Sequence, residues 1–296
     1  MTIVQRTLAK DISVVGVGLH SGKRITLSLH PAPENSGIVF RRVDCSPAVV
    51  LPAFPQNVND TRLATTLNIG KIFISTIEHL MSAFNGLGID NAVVDVDGHE
   101  IPIMDGSARD FVDLVRKAGI VKQQAPRMFV RVKRVIRVEE GDKWAQLEPH
   151  EGFVVDFSIA FNHPVLDATP QRDVYDMARD DYAEKIACSR TFGFVSDFDK
   201  LRAMGLIQGG SLDNAIAVDE KGVVNPEGLR NEAEFVRHKM LDAMGDLYVL
   251  GHPLLAKYTA SKSGHGLNNK LLRALLSDPD AWEGAMADES LLPSLA

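Results

Sequence analysis

The chain has 296 residues, with 32 Lys+Arg against 39 Asp+Glu for a formal net charge of −7, 45% apolar residues and 24% charged ones. These fractions exclude a disordered chain, and the length is about twice the ~150-residue prior for one domain, enough to bury a core without a disulfide or metal. The acidic balance argues against a protein whose main task is gripping nucleic acid or anionic lipid, which needs a basic face.

Two cysteines, Cys45 and Cys188, make no disulfide framework and fit a reducing cytoplasm. The first residues lack the apolar run of a signal peptide, and no window approaches 18 uncharged apolar residues. A cytoplasmic protein with no transmembrane segment and at most peripheral membrane contact is expected.

Residues 14–18 read as a strand, 19–23 as a turn, and 24–30 as a half-buried strand that alternates through Ile25, Leu27 and Leu29. A helix over 75–84 should end before Gly86 and Gly88. Residues 91–96 read as a short strand, and a helix follows Ser107 from about 108 to 117, stopping at Gly119. The polar stretch 122–126 is the best linker candidate, placing two domains at 1–125 and 126–296.

Beyond it, the β-rich run 129–138, the turn 139–143 and the return 144–147 repeat the opening strand–turn–strand layout roughly 120 residues later. Asp90-Asn91-Ala92-Val93 is echoed by Asp213-Asn214-Ala215-Ile216, an offset of 213 − 90 = 123. A duplicated α+β unit is expected, each copy made of strands plus two helices, one helical layer on one sheet. Residues 271–276 read as an apolar helix and 278–296 as a loosely held tail.

Two predicted helices carry histidines with carboxylates at informative spacing. Ser75-x-x-Glu78 is the spacing of a capping box, which alone would account for Glu78. The alternative is a general base beside a metal-binding His79. Further on, His238, Asp242 and Asp246 fall at i, i+4 and i+8, drifting only about 80° around a helix whose far side is Val236, Met240, Ala243, Met244 and Leu247. A solvated charged face is the plain reading. However, His and Asp one turn apart can point at a single ion, and zinc takes both donors.

His79, His238 and Asp242 together give three ligands and leave a fourth position for water, in a cleft between the halves, with Glu78 as base. His265 lies between Gly264 and Gly266: a plain glycine turn, or a mobile acid at the mouth of that cleft. No dinucleotide or P-loop glycine motif follows a strand, and no serine or cysteine nucleophile motif is present.

Several longer stretches resemble one family. They are Gln5-Arg6-Thr7-Leu8, Gly16-Val17-Gly18-Leu19-His20-Ser21-Gly22, Thr76-Ile77-Glu78-His79-Leu80, Gly86-Leu87-Gly88-Ile89-Asp90-Asn91 and Ile101-Pro102-Ile103-Met104-Asp105-Gly106-Ser107. They continue in Ser189-Arg190-Thr191-Phe192-Gly193-Phe194, in 235–246, in Ser263-Gly264-His265 and in Leu267-Asn268-Asn269. In these the chain resembles the UDP-3-O-acyl-N-acetylglucosamine deacetylases, zinc enzymes of lipid A biosynthesis in Gram-negative bacteria, from residue 5 to about residue 275.

The resemblance implies two similar two-layer sandwich domains, the second with an acyl-chain insert. It implies one Zn2+ held by His79, His238 and Asp242, with Glu78 as general base, His265 as general acid, Asp246 orienting His265, and Thr191 at the developing oxyanion. Phe192, Lys239 and Gly264 would bind the sugar nucleotide, with Lys143, Phe161, Asp197 and Lys262 further out. Leu19 and His20 would also meet substrate, and the acyl passage would run past Leu19, Ile207, Gly210, Ser211, Ala215 and Ala217.

The implied partner is an acylated UDP-amino-sugar, with no nucleic acid, and the chain is read as a monomer. Two other readings stand beside this one. The first is a zinc amidohydrolase of another N-acyl sugar or amide. The second is a non-catalytic sugar-nucleotide or lipid binder, which would need no such set of Glu, His and Asp.

Overall fold

Residues 2–287 are described by the computed structural model. After β1 (Val4–Leu8), the first half lays down β2 (Ile12–Val17), β3 (Arg24–Pro31), β4 (Ile38–Arg42) and β5 (Val49–Pro52). A small antiparallel sheet of β6 (Val58–Asp60), β7 (Thr66–Ile69) and β8 (Ile72–Ile74) precedes α1 (Glu78–Leu87), β9 (Ala92–Val96) and α2 (Arg109–Ala118). The expected alternation in β3 holds: Ile25, Leu27 and Leu29 are buried. The late strand β9 enters the middle of the sheet, whose order is β2-β3-β9-β4-β5, parallel only between β4 and β9.

The second half repeats this. β10 (Ile120–Pro126) and β11 (Met128–Val132) lead to β12 (Ile136–Glu140), β13 (Lys143–Pro149) and β14 (Phe153–Ser158), then the short α3 (Pro164–Asp167) and β15 (Arg172–Asp176). After α4 (Tyr182–Lys185), an inserted unit of β16 (Phe192–Phe194), α5 (Val195–Ala203) and β17 (Ile216–Val218) intervenes. The chain then returns through α6 (Glu234–Tyr248), β18 (Leu254–Ser261), α7 (His265–Leu276) and β19 (Trp282–Met286). The run β12-β13-β18-β14-β15 has the same order and the same senses as the first sheet, parallel only where the late strand β18 meets β14. The fold is thus α+β, with one strands-plus-two-helices topology used twice.

Four expectations need correction. The echo at 213–216 is not the repeat of 90–93: Ile216 opens β17, which pairs with β16 inside the insert. The counterpart of β9 is β18, so the offset grows from 136 − 12 = 124 at the first strands to 254 − 92 = 162 at the last. Residues 122–126 are no free linker but part of β10, antiparallel to β1. Of the expected tail, 282–286 form β19 against β11, which gives the Trp282 edge a partner; residues 288–296 lie outside the described residues.

The first helix begins and ends later than expected. It passes through Gly86, where a Cβ would lie 2.2 Å from the Tyr182 ring, and closes at Gly88 in the left-handed region (φ 69°). Helices α1 and α6 pack on each other across the two halves, with Leu80, Met81 and Phe84 meeting a core that includes Met240, Leu241 and Met244. At their crossing, a Cβ on Gly245 would sit 1.9 Å from the Glu78 carbonyl oxygen. Only glycine lets the two backbones come this close.

Candidate active site

That close crossing brings the ends of two helices together. His79 lies in the first turn of α1, and His238 and Asp242 lie one turn apart on α6. His79 Nε2 is 3.5 Å and His238 Nε2 3.4 Å from the same oxygen, Asp242 Oδ1, and the two rings stand edge to face with centroids 5.2 Å apart. All three residues are buried. The solvated-face reading of α6 therefore fails, since Asp246 on the same stripe is buried as well.

The donor set fits a metal. Asp242 Oδ1 is buried without a hydrogen-bond partner, a costly arrangement unless something else takes its lone pairs. Its other oxygen accepts a bond from Lys239 Nζ at 2.6 Å. His238 Nδ1 faces the Ser189 carbonyl at 3.1 Å, which places the ring proton there and leaves Nε2 free as a ligand atom. Burial, against the pull of Asp242, pushes the His238 pKa down to about 3, so the ring is neutral as a ligand must be.

Beside this cluster stands a second one, Glu78, Asp246 and His265. Glu78 is no capping residue: α1 starts at Glu78 itself, with Ile77 at the cap position and no side-chain cap. Its Oε2 instead accepts the Thr65 backbone N–H at 2.9 Å. Burial raises the Glu78 carboxyl above the ordinary range, against the pull of His265 and His79. His265 Nδ1 lies 2.9 Å from Asp246 Oδ2. Burial opposes charge on that ring, but Asp246 and Glu78 outweigh it and raise its pKa from 6.5 to about 9. A carboxylate pushed up and an imidazole held cationic side by side are the marks of a base and an acid divided by environment.

Both clusters border a cleft of about 790 Å³ whose lining includes His238, Asp242 and His265. Thr191, Phe192, Lys239 and Gly264 line the same cleft, as do Lys143, Phe161, Asp197 and Lys262. Phe161 and Phe192 stand edge to face there, 5.3 Å apart. Lys262 Nζ donates to Asp142 at 2.5 Å. A second cavity, of about 280 Å³, is mostly apolar, and Leu19, His20, Ile207, Gly210, Ser211, Ala215 and Ala217 all lie on its walls. Thr191 and Phe192 border both spaces.

Sequence reasoning missed Leu63, which borders both spaces with φ 59° and is 51% exposed, an uncommon backbone state for an apolar residue. It also missed Thr65, which serves Glu78 and Asp246 at once, and Asn268, whose Nδ2 donates to Asp246 Oδ2 at 2.8 Å. Asn268 follows His265 by three residues, a helical spacing that could have pointed to it. Leu63 and Thr65 carried no local signal.

Two buried histidines and a carboxylate facing one point, beside Glu78 and the Asp246–His265 pair and next to a cleft, are the donor set and neighbours of a metal-dependent hydrolase. The family profile described as UDP-3-O-acyl N-acetylglycosamine deacetylase matches residues 5–277. The chain is 54% identical over 292 residues to the UDP-3-O-acyl-N-acetylglucosamine deacetylase of Methylococcus capsulatus, covering 98% of this chain and 96% of that one. It is 53% identical over 294 residues to the enzyme of the same name from Legionella pneumophila strain Corby, covering 99% and 97%. The chain belongs to the UDP-3-O-acyl-N-acetylglucosamine deacetylase family.

Proposed function

We propose that this protein hydrolyses the N-acetyl group of UDP-3-O-acyl-N-acetylglucosamine, giving the free-amine sugar nucleotide and acetate, the committed step of lipid A biosynthesis. The observation that carries this is the meeting of His79, His238 and Asp242 with Glu78, Asp246 and His265 where a wide cleft of mixed polar and aromatic lining borders an apolar cavity. The wide arm, with Lys143, Lys239 and Lys262 beside aromatic side chains, suits a nucleotide sugar and the apolar arm an acyl chain.

His79, His238 and Asp242 would hold a single zinc ion. When bound, it supplies Lewis-acid polarisation of the amide carbonyl and an acidified water. Glu78, with its carboxyl raised by burial, takes a proton from the attacking water. Thr191 stands at the cleft wall to hydrogen-bond the developing oxyanion. His265, held protonated by Asp246, gives its proton to the departing nitrogen.

Phe192, Lys239 and Gly264 contact the sugar nucleotide, with Lys143, Phe161, Asp197 and Lys262 along the cleft. Leu19, His20, Ile207, Gly210, Ser211, Ala215 and Ala217 receive the acyl chain. Among the described residues no helix is long and apolar enough to cross a membrane, and the working form is taken as a cytoplasmic monomer with domains at 1–125 and 126–296.

The test is one sample assayed for metal content and for acetate release. Acetate should appear from the acylated sugar nucleotide and not from simple N-acetyl sugars. Release from simple N-acetyl sugars at equal rate would favour a broader amidohydrolase, and no release would leave only a binder.

A further inference from the structure

One feature of the α6 entrance touches neither substrate nor the ligand atoms. Arg190 and Glu234, with side chains 2% and 0% exposed, form a forked ion pair: Arg190 Nε donates to Glu234 Oε1 at 2.9 Å and Nη2 to Oε2 at 3.2 Å. The same carboxylate accepts the backbone N–H groups of Arg190 at 3.1 Å and Arg230 at 2.6 Å. Arg190 also donates to the Gly228 carbonyl at 2.7 Å and to Glu227 Oε1 at 2.5 Å. Glu234 is thus satisfied on both oxygens, and the arginine fork is fully spent inside the protein.

The residues on either side give this pair its meaning. Glu234 is the first residue of α6, so His238 stands one turn further on and Asp242 two. Arg190 sits between Ser189 and Thr191. The Ser189 carbonyl is the partner of His238 Nδ1, and Thr191 lines the cleft, anchored by its own N–H to the Gly106 carbonyl at 2.7 Å. A buried ion pair is rarely worth more stability than apolar packing of the same volume, but a planar fork fixes relative position in a way a methyl group cannot.

We infer that the Arg190–Glu234 pair is a positioning device, which locks the 189–191 segment to the head of α6 so that the Ser189 carbonyl selects the metal-binding tautomer of His238 while Thr191 keeps its place in the cleft. This rests on the deacetylation reading for the role of Thr191 and of the metal. The tautomer of His238 does not depend on it. A shift of a few tenths of an ångström at Arg190 would lengthen the bond from His238 to Ser189 and let the ring proton move to Nε2, where it blocks ligation.

The experiment compares wild type with Glu234→Asp, which keeps the charge but draws the carboxylate back by one methylene, and with Arg190→Lys, which keeps the charge but loses the fork. Imidazole nitrogen NMR on metal-free protein at neutral pH should show His238 as the Nδ1–H form in wild type and a mixture in both variants. Zinc-loaded variants should lose metal to a chelator about 10- to 100-fold faster, the usual scale for an outer-shell partner, and kcat should fall by a similar factor with KM unchanged.

A purely structural pair would lower only the melting temperature. Tautomer, metal release and kcat of the folded variants within about twofold of wild type would overturn the proposal. If one variant does not fold, the other is read alone. If wild type neither binds zinc nor releases acetate, the deacetylase reading fails, and the tautomer measurement on metal-free protein decides the positioning role by itself.

Discussion

Asp246 and His265 form a closed pair: Nδ1 of the ring meets Oδ2 at 2.9 Å and Oδ1 at 3.1 Å. The carboxylate's other contacts, from the Thr65 hydroxyl at 2.5 Å and the Asn268 amide at 2.8 Å, hold it aimed at the ring. Without a carboxylate there, burial would drive the ring neutral.

The first prediction follows from this pair. The His265 pKa is raised from 6.5 to about 9, so the protonated acid is present below that value and is lost as pH rises through it. The basic limb of kcat/KM should lie above 6.5, and Asp246→Asn should move it to lower pH with a lower maximum and metal retained. A limb that stays put in wild type, His265→Ala and Asp246→Asn would show that His265 is not the titrating acid.

Glu78 should act on rate and not on metal content. Because it caps no helix, the ~1 kcal/mol of a capping box is not at stake. What is at stake in Glu78→Ala is the Thr65 N–H, left buried without an acceptor at roughly 1–3 kcal/mol. Glu78→Gln keeps an acceptor oxygen for that bond. Its melting temperature should therefore stay near wild type while kcat falls on the order of 10²–10⁴-fold. A Glu78→Gln enzyme with full activity would remove Glu78 from the chemistry.

How much of this was legible beforehand depended on whether the signal was local. The stripe of His238, Asp242 and Asp246 and the pair Glu78-His79 could be read from helical spacing alone. That the stripe is buried could not, because both sides of α6 are covered and a one-sided pattern is lost. The duplicated topology was legible in the strand–turn–strand opening of each half. The register of the repeat was not, because the insert around β16, α5 and β17 displaces everything after it. Gln123 shows the same limit: it looks like linker, yet it accepts from the Asn91 amide at 2.7 Å and donates to the Ala32 carbonyl at 3.0 Å, partners more than thirty residues away.

Gly245 gives a prediction that only the folded chain suggests. A methyl group there would overlap the Glu78 carbonyl, 1.9 Å away, so α1 and α6 would have to separate. Gly245→Ala should cost at least the roughly 1–3 kcal/mol typical of overpacking and should lower kcat as well, since the two helices carry the three proposed metal ligands. Gly222→Ala, where nothing lies within 4 Å of the added carbon, is the matched control and should behave as wild type. Equal melting temperatures for the two variants would mean that the helices separate without cost.

The metal set allows the last prediction. Asp242 Oδ1 has no hydrogen-bond partner and both facing histidine nitrogens stand within 3.5 Å of it, so the three donors have affinity to spare for one cation. Chelation should abolish activity, and added zinc should restore it. His238→Ala removes one of three ligands and should lose both metal and activity. The fold should survive in His238→Ala, because the apolar core to which α1 and α6 contribute Leu80, Met81, Phe84, Met240, Leu241 and Met244 is large and leaves His238 out. Purified wild type should carry one equivalent of metal by elemental analysis, and His238→Ala far less with an unchanged far-ultraviolet spectrum. Active wild-type protein free of any divalent metal would defeat this assignment, as would a His238→Ala protein that retains both the ion and full turnover.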